Sequence, residues 1–278
     1  MTLSFTKLGT AAGVAAAGID LGSGVDTKTQ TALRQALLDG LVLCIRGQRL
    51  DTTGYRDAIA RFGLPIRQVA QKLTDLPEIA IISSEDRDFQ GDDKKLVAGA
   101  DWHSDDSYRA VPSSLTTLYA LAVPSSGGDT QFTNMYQAYE DLDASARARI
   151  DNLKVVHAYY STRTNQTVPT RTAAEQAATP DVVHPLVRTH PETGRKALYM
   201  NPTRMEQIIG LPRGESDALL DQLTAHATQE KYQYRHRWHL GDILIWDNRC
   251  TMHKANPDYA PGERRLMHRI MIEGTVPV

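Results

Sequence analysis

Three residues of this chain have the types and spacing to hold a transition metal. His103 and Asp105 stand in His103-Ser104-Asp105, and His253 closes Asp247-Asn248-Arg249-Cys250-Thr251-Met252-His253. Two imidazoles and one carboxylate can occupy one face of an octahedral ferrous ion and leave the other face open for a co-substrate, O₂ and water. His103 and Asp105 are two apart, and residues i and i+2 of a strand point to the same side, so one strand end can present both. His253 must arrive from another strand. A lone His-x-Asp is a common chance pattern. Its other reading is a surface or core histidine followed by two turn residues, Asp105 and Asp106, with His253 capping a loop. The remaining histidines do not compete. His157, His184, His190, His226, His236 and His239 have no partner at ligand spacing and read as structural, and His268 lies on the opposite strand face from Arg265 and Arg269.

What gives the metal reading weight is its company. Arg265 and Arg269 are four apart on an expected strand and share a face with Met267 and Met271. Two cations inside a barrel are costly unless anions meet them. Arginine offers a planar fork that matches a carboxylate, and Thr130 can add a hydroxyl donor. The other reading is a strand of surface salt bridges. Asn248 and Asp247 either orient the loop that carries His253 or form a simple Asx turn.

The elements that must position these residues follow from periodicity. Residues 27–39 carry apolar positions at helical spacing, 41–45 form a continuous apolar strand, and 55–62 read as a second helix closed by Gly63 and Pro65. These pack on the outside of a sheet. From residue 100 onward strands and turns dominate: 114–123 up to Pro124, 130–133 after a Ser-Ser-Gly-Gly-Asp turn, a hairpin of 185–188 and 196–200, an alternating strand over 232–238, and buried strands at 243–246 and 265–272. Helical segments interrupt them over 135–150 and 215–229, and 161–182 reads as a loop or lid. Many short strands with inserted helices fit a mainly β fold, a double-stranded β-helix or cupin-like jelly roll with flanking helices. No repeat or linker divides the chain, so 1–278 is expected to form one catalytic domain.

Composition excludes several other classes. The 278 residues are 41% hydrophobic and 23% charged, with a net charge of −2 and no block of like charge. That speaks against a nucleic-acid tract or membrane anchor. The apolar stretch 13–19 is too short to span a bilayer, and the first residues lack a charged signal-peptide start. Cys44 and Cys250 are the only cysteines, which makes a disulfide framework implausible and a reduced cytoplasm the simplest home.

The chain resembles the taurine dioxygenase and 2,4-dichlorophenoxyacetate dioxygenase family of iron(II)/2-oxoglutarate-dependent enzymes. The resemblance rests on Leu43-Cys44-Ile45-Arg46-Gly47-Gln48, Arg61-Phe62-Gly63, Trp102-His103-Ser104-Asp105, Pro124 to Thr130, Gly241 to Arg249 and Arg264 to Arg269, in family order along nearly the whole chain. It implies a jelly roll, Fe(II), 2-oxoglutarate as co-substrate and O₂. It implies His103, Asp105 and His253 as metal ligands, and Thr130 and Arg265 on the far carboxylate of 2-oxoglutarate. Arg269 would face the anionic group of the substrate and Trp246 would line the pocket near the metal. The reaction it implies is hydroxylation of a small organic anion of the phenoxyalkanoate, sulfonate or sulfate ester class, with succinate and CO₂ as co-products and possible collapse of the hydroxylated product. Asp105 itself favours hydroxylation, because halogenases of related folds carry a small residue there. A homo-oligomer, dimer or tetramer, is expected by resemblance alone.

Two departures put taurine itself in doubt. The stretch after the Phe-Gly turn reads Leu64-Pro65-Ile66-Arg67-Gln68 where taurine enzymes are expected to carry a histidine, and Gly99-Ala100-Asp101 stands where they carry an asparagine. Ile81, Ile82, Val97 and Tyr108 are further pocket candidates. The rival functions are a non-catalytic metal-binding jelly roll and a zinc hydrolase using the same three ligands. Neither explains Thr130 together with Arg265.

Overall fold

The computed structural model describes residues 2–68, 72–84, 99–163, 172, 177 and 179–278. Its strands are β1 (Ser4–Lys7), β2 (Val14–Ala17), β3 (Val42–Ile45), β4 (Ala80–Ser83), β5 (Leu115–Ala122), β6 (Thr130–Asn134), β7 (Lys154–His157), β8 (Val182–Pro185), β9 (Val187–Thr189), β10 (Lys196–Leu198), β11 (Met205–Ile208), β12 (Gln233–His236), β13 (Ile243–Asp247), β14 (Thr251–Ala255) and β15 (Leu266–Ile272). The helices are α1 (Thr27–Gly40), α2 (Thr52–Ile59), α3 (Met135–Glu140), α4 (Ala144–Ile150) and α5 (Arg213–Ala227). A seven-stranded sheet in the order β1-β2-β3-β13-β5-β15-β4 forms one wall, and a three-stranded sheet β12-β6-β14 carries His253. The architecture is the mainly β jelly roll expected from the sequence. Among the described residues no helix is long and apolar enough to cross a membrane.

The large sheet is buried on both faces, which explains its unbroken apolar runs. Along β5, Leu115 and Tyr119 join the outer core with Leu43, Ile45, Ile243, Ile245 and Ile270, against Leu33 and Leu37 of α1 and Tyr55 and Ile59 of α2. Leu118 and Ala120 join the inner core with Val42, Cys44, Leu244, Trp246 and Met267. The two sets alternate residue by residue, as the pleat requires. The outer helices start where aspartates cap them: Asp26 accepts from the Thr29 N–H at 2.7 Å and Asp51 from the Gly54 N–H at 2.7 Å.

Some boundaries differ from the periodicity reading. The expected helix over 135–150 is two helices, α3 and α4, because Asp143 accepts from the Ala146 N–H and starts a new one. The expected strand over 232–238 is limited to β12, since Glu230–Tyr232 is a 3₁₀ turn. The apolar stretch near residue 13 supplies β2, which pairs in parallel with β3. Most of the expected lid at 161–182, and Val97, lie outside the described residues.

Candidate metal centre and anion anchor

His103 reaches the site by strand pairing. Its N–H donates to the His253 carbonyl at 3.0 Å, and the His253 N–H returns the bond to His103 at 2.8 Å. An isolated antiparallel bridge thus fastens the segment before β5 to β14. The two rings lie 4.2 Å apart, centre to centre. Asp105 follows, with each carboxylate oxygen near one imidazole: Oδ1 is 3.7 Å from His103 Nε2 and Oδ2 is 3.7 Å from His253 Nε2. One ligand atom from each of the three residues falls within 4.8 Å of the others. Asp106 then takes φ = 56°, the left-handed region that a non-glycine residue enters at some strain. That kink lets the Arg109 N–H close a turn onto the Asp106 carbonyl at 2.8 Å.

The three donors fit a divalent cation. His103 Nδ1–H donates to the Asp101 carbonyl at 2.8 Å, which leaves Nε2 with its lone pair toward Asp105. The His253 ring is set by packing, 4.7 Å from Trp246 and 6.0 Å from Phe132. Burial, then the neighbouring His103, push its imidazole down to about 3, so it is neutral and able to ligate at ordinary pH. Burial works to raise the Asp105 carboxyl, but the charges around it, Arg269 among them, and the Thr116 hydroxyl outweigh it and hold it below its ordinary value. A carboxylate between two imidazole nitrogens is the donor set such an ion needs.

Thr130 and Arg265 are both buried. The Thr130 hydroxyl oxygen accepts from Trp238 Nε1 at 3.0 Å, so its own proton is directed elsewhere. Arg265 Nε donates to the Gly128 carbonyl at 3.0 Å, and its guanidinium carbon lies 5.9 Å from the centre of the Trp238 ring. Among the described residues no carboxylate stands within ion-pair distance of Arg265, and burial pulls its guanidinium below the ordinary value. A buried cation without a protein counter-ion is a site for an anionic ligand. Gly128, at φ = 69°, permits the close approach: a Cβ there would meet Pro124 Cγ at 2.8 Å, Tyr259 Cδ1 at 3.2 Å and Arg265 Cδ at 3.4 Å.

The other expected site residues are dispersed more widely. Arg269 pairs in register with Leu118 on the inner side of the large sheet; its Nη2 donates to Gln68 at 3.4 Å, and its buried Nε has no partner among the described residues. Trp246 stands behind His253 as a support, with its indole N–H on Asn248. Tyr108 packs edge-on against Tyr159 at 4.8 Å, beneath the Arg204 guanidinium. Ile81 is a correction. It pairs with His268, which pairs with Tyr119 of the outer core, whereas Ile82 pairs with Met267 and packs on the inner core. A one-residue difference in register inverts the face, so Ile82 faces the inner core and Ile81 the outer side of the sheet.

Two buried groupings escaped the spacing argument because tertiary contact creates them. His190 meets Asp247 and Cys250, and His236 meets Asp242 and Cys44. Both carboxylates are already engaged. Asp247 accepts from Arg249 at 2.6 Å and from His190 at 3.0 Å, and Asp242 accepts from Arg46 at 2.6 Å and from the His239 N–H at 3.0 Å. These are structural ion pairs. The residues that sequence reasoning missed at the site are Thr116, Trp238, Phe132 and Gly128; one of two adjacent threonines in an apolar strand carries no local signal.

A jelly roll with two histidines and a carboxylate gathered at one point, and a buried arginine that has no carboxylate at ion-pair distance among the described residues, defines a metal-dependent, anion-binding class. The family model "Taurine catabolism dioxygenase TauD, TfdA family" matches residues 4–271, and the chain belongs to that family. It is 32% identical over 270 residues to the alpha-ketoglutarate-dependent 2,4-dichlorophenoxyacetate dioxygenase of Cupriavidus pinatubonensis, covering 93% of each chain. Its fold matches AAD-2, solved in complex with Mn(II) and N-oxalylglycine, with a TM-score of 0.85, 29% identity and coverage of 100% and 99% of the two chains. A taurine dioxygenase from Burkholderia xenovorans matches with a TM-score of 0.84 and 32% identity over 99% of this chain and 91% of that one. The protein is a 2-oxoglutarate-dependent dioxygenase that works with a metal.

Proposed function

We propose that His103, Asp105 and His253 bind iron(II), that Thr130 and Arg265 hold the far carboxylate of 2-oxoglutarate, and that the enzyme hydroxylates a small organic anion. The observation that carries this reading is the gathering of the three ligand atoms within 4.8 Å. When bound, the ferrous ion with 2-oxoglutarate supplies O₂ activation coupled to decarboxylation, giving succinate, CO₂ and a hydroxylated substrate carbon. The chain's own part is positioning and electrostatics. The Asp101 carbonyl keeps the His103 proton on Nδ1, Trp238 turns the Thr130 hydroxyl, and Arg265 meets a carboxylate with a planar fork.

Arg269 is the proposed partner of the substrate's anionic group. It lies near enough to Asp105 to depress that carboxyl, and its buried Nε has no hydrogen-bond partner among the described residues. The substrate class is phenoxyalkanoate, sulfonate or sulfate ester, and hydroxylation beside an ether or ester oxygen would let the product collapse and the bond cleave. In the stretch 64–68 beyond the Phe-Gly turn, where a taurine enzyme is expected to carry histidine, Gln68 accepts from Arg269, and the lack of a histidine there favours substrates other than taurine.

The test is an anaerobic titration of metal-free protein with iron(II) and 2-oxoglutarate. A weak visible charge-transfer band is expected, shifting when a phenoxyalkanoate or sulfonate is added. Bound iron without any band would mean that 2-oxoglutarate does not chelate the metal, and the reading would fall.

A further inference from the structure

The Asp105 carboxylate is held from behind by a hydrogen-bond chain whose direction is fixed at each step. An indole N–H can only donate, and Trp246 Nε1 does so to Asn248 Oδ1 at 3.1 Å. That contact turns the amide so that Nδ2 faces Thr116, where it donates to Oγ1 at 2.8 Å. A hydroxyl that accepts there has one proton to give, and Thr116 Oγ1 donates it to Asp105 Oδ2 at 2.6 Å. All four side chains are buried. The same Asn248 accepts from Ser104 Oγ through its main-chain carbonyl at 2.9 Å, so it also fastens the residue between His103 and Asp105. Strand register makes the chain possible: Thr116 of β5 stands directly opposite Trp246 of β13.

We propose that Thr116 and Asn248 are positioning residues of the metal centre. They commit Asp105 Oδ2 to an O–H, fix the carboxylate's orientation and leave Oδ1 as the oxygen free for the metal. A carboxylate ligand whose far oxygen is hydrogen-bonded keeps its rotamer and its charge, and losing such a support costs about 10- to 100-fold in metal affinity. This rests on Asp105 being a ligand, as proposed above.

The experiment is an anaerobic titration of metal-free protein with iron(II) or cobalt(II), alongside thermal unfolding, for wild type, Thr116→Val and Thr116→Ser. Thr116→Val keeps the shape and removes the hydroxyl; it should weaken the metal Kd about 10- to 100-fold. Thr116→Ser restores the donor and should bind within about threefold of wild type. A folded Thr116→Val with wild-type affinity overturns the relay, and so does a Thr116→Ser protein weakened as much as Thr116→Val. Should Thr116→Val not fold, Thr116→Cys takes its place, because a thiol is a poorer donor; an unchanged Kd there also overturns the proposal. If wild type itself binds no metal, the ligand assignment fails rather than the relay alone.

Discussion

The two ends of the site handle charge in opposite ways. At the metal end, Asp105 is balanced within the chain: Thr116 donates to it, and Arg269 favours its ionised form. At the anchor end, Arg265 is buried with a backbone carbonyl and an aromatic ring as its neighbours and no carboxylate at ion-pair distance among the described residues. The metal end is organised before any ligand arrives. The anchor end leaves a cost that a carboxylate ligand must offset. The first arrangement suits a group that must stay in place, and the second suits a co-substrate that is consumed and replaced at every turnover.

Substitutions can sharpen or break this contrast. Asp105→Ala should have the largest effect, a loss of substrate oxidation to background in an assay of succinate formation; retained hydroxylation would remove Asp105 from the ligand set. Arg265→Ala should raise the 2-oxoglutarate requirement about 100-fold, the scale of truncating one partner of a buried charged pair. Conversely, saturating 2-oxoglutarate with metal should raise the melting temperature of wild type and leave that of Arg265→Ala nearly unmoved; at 100 times Kd the stabilisation is about 2.7 kcal/mol. An unchanged co-substrate dependence would put the anchor elsewhere.

Gly128→Ala separates the ends more finely. Its added Cβ would press on Pro124 and Arg265 from a left-handed backbone position, so 2-oxoglutarate affinity should fall about 10-fold while metal affinity stays as it was, the change expected for about 1–2 kcal/mol of strain. Parallel loss of both would mean the two ends are not independent. Arg269→Ala should mainly raise KM for anionic substrates, by about 10-fold, the low end for one lost charge-assisted hydrogen bond. Preferential turnover of neutral substrates by the wild type would break that assignment.

How much of this was legible depended on whether a residue's role is local. The strand over 114–123 could be read from its composition, and β5 occupies nearly that span because both its faces are buried. Within it, nothing distinguished Thr116 from Thr117. Thr117 faces outward to Tyr55, whereas Thr116 faces Asp105, and only the pairing of β5 with β13 and β15 decides which is which. The histidines given structural roles behave that way at His190, held on Asp247, but its convergence with Cys250 had no sequence signal. Ile81 and Ile82 show the limit most sharply: both suit a pocket by residue type, and register chooses between them.

The sequence alone determined the donor types, their order and the family they belong to, because chemistry requires particular side chains and those are written directly in the residues. It also determined the mainly β fold, because periodicity is a local property. The tertiary structure decided which atoms face one another. The bridge between His103 and His253 spans 150 residues, and the path from Trp246 to Asp105 crosses 132 residues in its single step from Asn248 to Thr116. Hydrogen bonds are directional and act over about 3 Å, so their partners are fixed only once strand register and packing have brought the segments together.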